Sequence, residues 1–213
     1  MRMALVRLCA ALALLVPGCA SDGQSAAREP QAAPDWRNVA TAEDRGRLRD
    51  WRKAWTEALA KAQASGHAGD ITAEAALLDP DAALGWEDPP LGLFHCRTIK
   101  VGAKSAGLLN YVAYPSFDCL LRCENGRIKL VKIGGSQRTV GSILPYSDKR
   151  KVFLGTLELG DETRPLEYGR DRERNLAALV ERIGERRWRL VFPYPHFEST
   201  IDVIELVPKA PTS

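Results

Sequence analysis

The sequence RWRLVF (residues 187–192) decides the fold class, because large apolar side chains alternate with arginines along its first four positions. Trp188, Leu190 and Phe192 would share one face of an extended chain, and the two arginines would share the other. A second apolar run, 176–183, precedes it across a turn that contains a glycine. The two runs predict an antiparallel β-hairpin with one buried face.

Similar short runs rich in Val, Ile, Leu, Phe and Tyr lie upstream and downstream of this hairpin, separated by Gly, Pro, Asn and Asp, which is typical of antiparallel β-structure. The nine candidate strands are 93–101, 109–113, 117–123, 127–133, 139–144, 151–159, 176–183, 187–192 and 200–207. A meander of this length removes its exposed edges by closing. We predict a mainly β (α+β) fold, with an antiparallel meander β-barrel of the calycin or lipocalin kind at 91–208.

The segment 35–90 has a helical pattern instead. Thr41 is a suitable N-cap and Gly66 a suitable stop, and one apolar face lies between them. That face consists of Leu48, Trp51, Trp55, Leu59 and Ala62. A shorter helix is expected at 72–78 and a loop at 79–90. These N-terminal amphipathic helices should pack on the barrel, over an opening or an outer face.

The N-terminus has the pattern of a bacterial signal peptide. Arg2 and Arg7 carry positive charge, residues 8–16 are apolar, and small residues follow. The apolar run is too short to cross roughly 30 Å of hydrocarbon as a helix. It ends in LVPGC, which resembles a lipobox, with Cys19 as the residue that takes the lipid. We expect a lipoprotein signal peptide at 1–18; the alternative is an ordinary secretory signal with an incidental cysteine.

Acylation of Cys19 would anchor the protein to a membrane, because each buried methylene group contributes about 0.8 kcal/mol. Residues 19–34 lack apolar periodicity and predict a flexible tether with a mean reach of roughly 20 Å. Ala20, rather than an aspartate, follows the cysteine, which by analogy with enterobacterial sorting favours the outer membrane. The expected location is the cell envelope, on the periplasmic side.

Composition gives no indication of a nucleic-acid partner. The chain has 30 basic and 27 acidic side chains, and removal of Arg2 and Arg7 with the leader leaves 28 against 27. The arginines around 45–52 and 182–189 are interleaved with acidic residues. This interleaving predicts solvent-exposed faces with ion pairs.

Three cysteines remain in the folded part, and an oxidising compartment favours one disulfide. Cys119 and Cys123 would stand about 13 Å apart on one strand, which is too far for them to bridge each other. Cys96 must then pair with one of them, and we select Cys119, which leaves Cys123 as a thiol. A zinc site formed by the cysteines and His95 is the alternative, but the close paired spacing of such sites is missing. No cofactor is expected.

Several motifs together resemble a known family. They are WRKAW (51–55), CR (96–97), GSQR (135–138), FLGTL (153–157), YGRD (168–171), ERIG (181–184) and FESTIDV (197–203). They are similar to an uncharacterised envelope lipoprotein family of alphaproteobacteria, domain of unknown function 4893. The resemblance covers about 35–208. It implies an envelope location, but no activity, cofactor or catalytic residue.

Candidate ligand contacts come from two polar stretches. The first, 134–138, lacks both the closing glycine of a nucleophile elbow and the lysine of a phosphate-binding loop, which favours a turn. The second, 168–175, has arginines and carboxylates that could recognise a polar ligand, with an ordinary exposed connection as the alternative. The candidate contacts are Ser136, Gln137, Arg138, Tyr168, Arg170, Asp171, Arg174 and Glu198.

We therefore expect a non-catalytic binding module for a small molecule in the barrel or an envelope protein on its rim. One alternative is a hydrolase that uses Ser136 or Cys123 with His95 or His196. The other is a barrel that inhibits another protein. His196 lies in a proline-rich loop, where a structural role is the simpler interpretation.

Overall fold

The computed structural model describes residues 34–210. The predicted signal peptide at 1–18, the lipid-attachment residue Cys19 and almost all of the predicted tether at 19–34 lie outside these residues. Four short helices come first: α1 (Trp36–Val39), α2 (Ala42–Arg49), α3 (Trp51–Ala64) and α4 (Ala68–Ala73). Single 3₁₀ turns follow at Ala75–Leu77 and, later in the chain, at Arg172–Arg174. None of the described helices is long and apolar enough to cross a membrane.

Nine strands follow the helices. They are β1 (Gly92–Ala103), β2 (Tyr111–Ala113), β3 (Phe117–Glu124), β4 (Arg127–Ile133), β5 (Gln137–Pro145), β6 (Arg150–Leu159), β7 (Asn175–Gly184), β8 (Arg187–Pro193) and β9 (Ser199–Pro208). Every neighbouring pair is antiparallel, in the order β2-β1-β3-β4-β5-β6-β7-β8-β9, and β1 also pairs with β9. This last pairing closes eight strands into a barrel. The short β2 lies outside that closed set and pairs with β1 near the C-terminal end of β1. The predicted mainly β fold and the closed meander barrel are confirmed.

The alternation seen in RWRLVF extends around the barrel. Trp188, Leu190 and Phe192 point inward, and they join a core built from inward positions of the other strands. The described residues of that core are Phe94, Cys96, Cys119, Leu121, Leu130, Ile143, Phe153, Ala178, Val180, Trp188, Leu190, Phe192, Ile204 and Leu206. Burial of these side chains supplies the main driving force for closure of the barrel.

The helices cover an outer face of the barrel, chiefly over β1, β7, β8 and β9. Trp55 is fully buried in this layer, and its indole Nε1 donates to the carbonyl of Leu78 at 3.2 Å. The helix α3 approaches closely where β1 has a glycine: a Cβ atom at Gly102 would lie 2.8 Å from the Cα atom of Ala58. The predicted packing of the apolar helical stripe onto the same chain is therefore confirmed.

The single helix expected between Thr41 and Gly66 is wrong in one respect, because it is broken at Asp50 into α2 and α3. Thr41 does cap α2, accepting from the amide of Asp44 at 3.1 Å. Leu48 packs over β6 and β7, whereas Trp55 packs over β1, β8 and β9. A straight helix could not follow the curved barrel across both contacts, so the chain turns between them.

The helix predicted at 72–78 is also wrong in its bounds. The helix α4 begins earlier, at Ala68, and a 3₁₀ turn takes up the end of the segment. Ala75, the first residue of that turn, has a left-handed φ of 48°, which an α-helix does not continue through. The neighbouring Glu74 carboxylate accepts from Arg97 Nη1 at 2.8 Å and from the hydroxyl of Tyr111 at 3.1 Å, which fixes this bend against β1 and β2.

The expectation that the arginines of 182–189 form a solvent-exposed face is wrong for Arg189. Its side chain points out of the barrel, as predicted, but the helical layer covers it completely. Arg189 Nε donates to Glu181 at 2.7 Å, and its guanidinium lies 4.6 Å from the ring centroid of Trp55. Sequence alternation identifies the outward face of a strand, but it does not show that a second layer will cover that face.

The disulfide predicted between Cys96 and Cys119 is present. The two cysteines point inward from the paired strands β1 and β3, and both are buried. Cys123 lies farther along β3, toward the turn that leads to β4. Cys119 and Cys123 therefore lie on one strand, as expected, and their spacing along it excludes a bond between them.

Candidate functional site

One mouth of the barrel holds a cavity of about 990 Å³. In a meander, the C-terminal ends of β1, β4, β6 and β8 meet the N-terminal ends of β3, β5, β7 and β9. These ends line the cavity, together with the loops that join β6 to β7 and β8 to β9. The opposite half of the barrel is filled by the apolar core. The barrel is therefore packed at one end and hollow at the other.

Aromatic packing forms the boundary between the two halves. Phe192 lines the cavity and meets Phe153 edge to face, with their ring centroids 5.9 Å apart. The Phe153 ring lies over the paired glycines Gly141 and Gly155, where added Cβ atoms would stand 2.5 and 2.7 Å from its Cζ atom. The two glycines thus let an aromatic ring lie against the barrel wall beneath the cavity.

The cavity wall combines apolar and polar side chains. Its large apolar side chains belong to Phe117, Ile133, Leu157, Leu159, Leu176, Phe192 and Ile204. At the rim, Ile133 and Phe197 keep 45% and 53% of their surface exposed, although both are large apolar residues. Apolar surface of this kind, inside a concave site and at its entrance, is typical of small-molecule binding sites.

A charged group lies on one side of this cavity. Lys100 Nζ, from β1, is 2.9 Å from Asp202 Oδ2 on β9 and 3.2 Å from Glu198 Oε2. Burial raises the pKa of Asp202, although Lys100 opposes that shift, and Ser199 donates a hydrogen bond to the same carboxylate. Burial also acts to lower the pKa of Lys100, but Asp202 and Glu198 outweigh it and the net shift is upward. The positive charge of Lys100 is thus balanced by carboxylates of the protein itself.

A second lysine, Lys132 at the end of β4, lines the cavity in a different setting. Its Nζ atom lies 4.4 Å from the ring centroid of Phe117 on the neighbouring strand β3. Within residues 34–210, no carboxylate forms an ion pair with it. Burial lowers the pKa of this ammonium. Lys132 is a half-buried cation beside apolar wall residues.

The loop between β8 and β9 forms one lip of the cavity and is held in an uncommon conformation. Tyr194 and Glu198 have left-handed φ angles of 47° and 66°. The hydroxyl of Tyr194 donates to Glu57 at 2.8 Å, and Lys104 Nζ donates to the carbonyl of Pro195. Strained residues of this kind persist where the surrounding structure fixes them, and they concentrate at functional sites.

His196 lies in the same loop and lines the cavity. Its Nε2 atom is buried and has no hydrogen-bond partner in the part of the chain that the structure describes. Burial lowers the pKa of the imidazole, and the positive charge of Arg47 adds to the shift. Both effects favour the neutral imidazole, and its centroid lies 6.3 Å from that of the Phe197 ring, with the two planes tilted by 54°.

Four of the eight predicted ligand contacts line the cavity, namely Gln137, Asp171, Arg174 and Glu198. Three of these are already paired, since Arg174 Nη1 lies 2.5 Å from Glu162, its Nε lies 3.2 Å from Asp171, and Glu198 pairs with Lys100. The topology brings the two polar stretches of the sequence to the same mouth. Their arginines Arg138 and Arg174 are paired with nearby carboxylates of the protein.

The other four predicted contacts lie away from the cavity wall. Tyr168 fastens α2 to the barrel, because its hydroxyl donates to Asp44 and accepts from the amide of Thr41 at 3.0 Å. Arg138 pairs with Glu158 at 3.0 Å. Ser136 is exposed in the turn between β4 and β5, and the exposed Arg170 lies 3.8 Å from Glu167. Tyr168 and Arg138 therefore stabilise the fold, whereas Ser136 and Arg170 lie at the surface.

Lys100, Lys132 and Asp202 are not among the residues predicted from the sequence. A usable signal exists: along β1, the inward positions change from Phe94 and Cys96 to Thr98 and Lys100. Toward the same mouth, the inward positions also change from apolar to charged in β4, at Lys132, and in β9, at Asp202. Because the topology of a meander brings these strand ends together, the change of polarity at inward positions marks the hollow end.

The residues proposed for hydrolysis do not form a dyad. Cys123 points inward near the packed end of the barrel, His95 points outward from β1, and His196 is at the open mouth. Among residues 34–210, Ser136 makes no hydrogen bond to a histidine. The same residues contain no cluster of three or more His, Cys, Asp or Glu side chains arranged to hold a metal ion. The disulfide also removes Cys96 and Cys119 from the alternative zinc site.

The family model for a domain of unknown function, DUF4893, matches residues 36–206. The match begins at α1 and ends within β9, and it includes both the helical layer and the barrel. No curated protein matches the chain, and no solved structure matches it. Similarity to calycin or lipocalin barrels therefore stays a prediction. The chain belongs to the family described as a domain of unknown function, DUF4893.

Proposed function

We propose that this protein is an exported lipoprotein, acylated on Cys19 and held on the periplasmic side of the outer membrane, whose barrel binds a small amphipathic molecule. The observation that carries the binding proposal is the cavity of about 990 Å³ at one mouth of the barrel. Small barrels either fill with side chains or hold one ligand. This barrel is filled in only one half.

The size and lining of the cavity support a small molecule as the occupant. Ligand sites typically enclose about 300–1,000 Å³ and combine apolar walls with a few polar groups that fix orientation. Here the apolar walls include Leu157 and Leu176, and the polar groups include Lys100, Lys132 and Asp202. A molecule with one apolar part and one polar part matches both sets of residues.

The proposed anchor rests on the sequence of the leader, which has a basic start, a short apolar run and a lipobox-like LVPGC ending at Cys19. Cells that express the protein should incorporate labelled palmitate into the wild-type chain and not into Cys19→Ser. Equal labelling of the two proteins would contradict acylation at this cysteine. Loss of label together with release of the protein from the membrane fraction would support it.

Binding is tested by filling the cavity. Leu157 lines it and is only partly buried, so Leu157→Trp should place an indole in the space that a ligand would occupy. In the Cys19→Ser protein, we expect the neutral fluorescent probe N-phenyl-1-naphthylamine to bind saturably. Leu157→Trp should weaken that binding by at least about tenfold, which corresponds to about 1.4 kcal/mol.

The matched control is Leu93→Trp, which adds the same indole at an exposed position on the outside of β1. Its dissociation constant for the probe should stay within about twofold of the parent value. If both tryptophan variants bind the probe as tightly as the parent, the probe does not occupy the cavity and the proposal fails. If the parent shows no saturable binding of probe, the proposal fails as well.

A further inference from the structure

Lys132 differs from every other cation that borders the cavity. Lys100 pairs with Asp202 and Glu198, and Arg174 pairs with Glu162 and Asp171. Among residues 34–210, Lys132 has no carboxylate partner, and its Nζ atom lies 4.4 Å from the centroid of the Phe117 ring. A cation that is partly removed from water without a counter-charge is disfavoured, and a ring face compensates for only part of that cost. No described acidic side chain balances the charge of Lys132.

The position of Lys132 allows a bound molecule to supply that charge. Lys132 occupies an inward-facing position of β4, two residues after the buried Leu130, and its side chain lines the cavity. The pairing of β4 with β5 ends at Val131 and Val140, so Lys132 is beyond the last pair on that side, while on the other side it still pairs with Cys119 of β3. The turn that follows contains Gly134 and Gly135, both with left-handed φ angles. The ammonium therefore stands where the barrel wall opens.

Acidic groups at the same mouth do not occupy this position. Asp202 and Glu198 face Lys100, Asp171 faces Arg174, and Glu173 is exposed at the rim. The apolar residues near Lys132 include Phe117 and Ile133, and Leu157 and Leu159 line the cavity from β6. An anionic group at Lys132 would thus leave the rest of its molecule against apolar wall.

We infer that the molecule bound in this cavity is an apolar anion whose carboxylate, or comparable single negative group, pairs with the ammonium of Lys132. The inference rests on the proposed function and adds the chemical class of the ligand. Charge-assisted hydrogen bonds of this kind are short and directional, and they discriminate strongly against a neutral analogue. The apolar part of the ligand contributes affinity, and Lys132 fixes its orientation.

The test compares two probes that differ only in charge, 11-(dansylamino)undecanoic acid and its methyl ester, titrated into the Cys19→Ser protein at pH 7. Lys132→Met should weaken binding of the acid by about ten- to hundredfold and change binding of the ester by less than about threefold. Lys132→Arg, which keeps the charge, should retain acid binding within about fivefold. Leu157→Trp should weaken binding of both probes.

Lys129→Met is the matched control, since Lys129 lies on the outward face of the same strand and pairs with Glu124 at 2.9 Å. It removes the same charge from the protein but should leave acid binding unchanged. Equal loss of acid binding in Lys129→Met and Lys132→Met would overturn the inference, as would equal affinity of the wild-type cavity for acid and ester. In either case, the proposed function would still hold if the probes bound to the parent protein and Leu157→Trp abolished that binding. Saturable binding of neither probe would contradict both.

Discussion

Replacing Glu181 with leucine should reduce the free energy of unfolding by about 3–5 kcal/mol, because it leaves a fully buried arginine without its carboxylate. Glu181 and Arg189 are paired directly across β7 and β8, and neither side chain has any exposed surface. Arg189 Nε donates to Glu181 at 2.7 Å, and Arg150 Nε donates to the other carboxylate oxygen at 2.5 Å. One carboxylate therefore serves two guanidinium groups.

The guanidinium of Arg189 also fastens the helical layer to the barrel. Its Nη1 atom donates to the carbonyls of Ala76, Leu77 and Asp79 at 2.7, 3.0 and 2.7 Å. These carbonyls belong to the segment that joins the helices to the first strand. Loss of the pair should therefore loosen the contact between the two layers as well as leave the buried charge of Arg189 unbalanced.

A double-mutant cycle separates the pair from its surroundings. Glu181→Leu, Arg189→Met and the double variant should be compared by urea unfolding followed through tryptophan fluorescence. The double variant should be less destabilised than the sum of the single variants, with a coupling of about 2–3 kcal/mol. Arg187 lies on the same strand as Arg189, and Arg187→Met, which breaks its partly exposed pair with Glu205 of β9, should cost less than about 1 kcal/mol. A cost below about 1 kcal/mol for Glu181→Leu would contradict the account of this pair.

Removal of the disulfide with Cys96→Ala/Cys119→Ala should reduce the free energy of unfolding by about 3 kcal/mol. The two cysteines are 23 residues apart in sequence, and their bond restricts the unfolded chain by closing that loop. They also lie in the barrel core beside Phe94 and Leu121, so the smaller alanines leave unfilled space. Both effects lower stability.

Reducing agent provides the control. Dithiothreitol should lower the urea midpoint of the wild-type protein and leave the midpoint of the double alanine variant unchanged. If the variant and the oxidised wild-type protein unfold at the same urea concentration, the disulfide contributes nothing measurable. A reductant effect that persists in the double alanine variant would instead assign that effect to another part of the protein.

The strands of the barrel are predictable because each is a local pattern. All nine candidate segments correspond to strands, and the bounds differ by only a few residues where the pattern fades into a turn. The hairpin at 176–192 is the clearest case, since Trp188, Leu190 and Phe192 do point into the core. Closure follows from physical reasoning about exposed edges, and the pairing of β1 with β9 confirms it.

Contacts between layers are not predictable in the same way. The burial of Arg189 depends on the position of Trp55, about 130 residues earlier in the chain, so no local pattern contains it. The break at Asp50 likewise reflects the curvature of the barrel beneath the helices rather than a strong local stop signal. Sequence periodicity establishes which face of an element is apolar, whereas the three-dimensional arrangement decides what covers the other face.

Part of the candidate site can be predicted from the sequence. The loops that carry Gln137, Asp171, Arg174 and Glu198 could be selected by their polarity, and the topology does bring them to one mouth. Lys132 is one of two lysines in β4, so composition does not distinguish it. Its importance depends on its inward phase and on the lack of a carboxylate beside it within the described residues, and both are three-dimensional facts.

The most direct test of the central claim, that the hollow end of the barrel holds a small molecule, is native mass spectrometry of the Cys19→Ser protein purified gently from its own periplasm. We expect the polypeptide to carry one additional small mass that dissociates on collisional activation, and we expect Leu157→Trp to lack it. A bare polypeptide mass for the parent protein, or the same additional mass on Leu157→Trp, would contradict binding in the cavity.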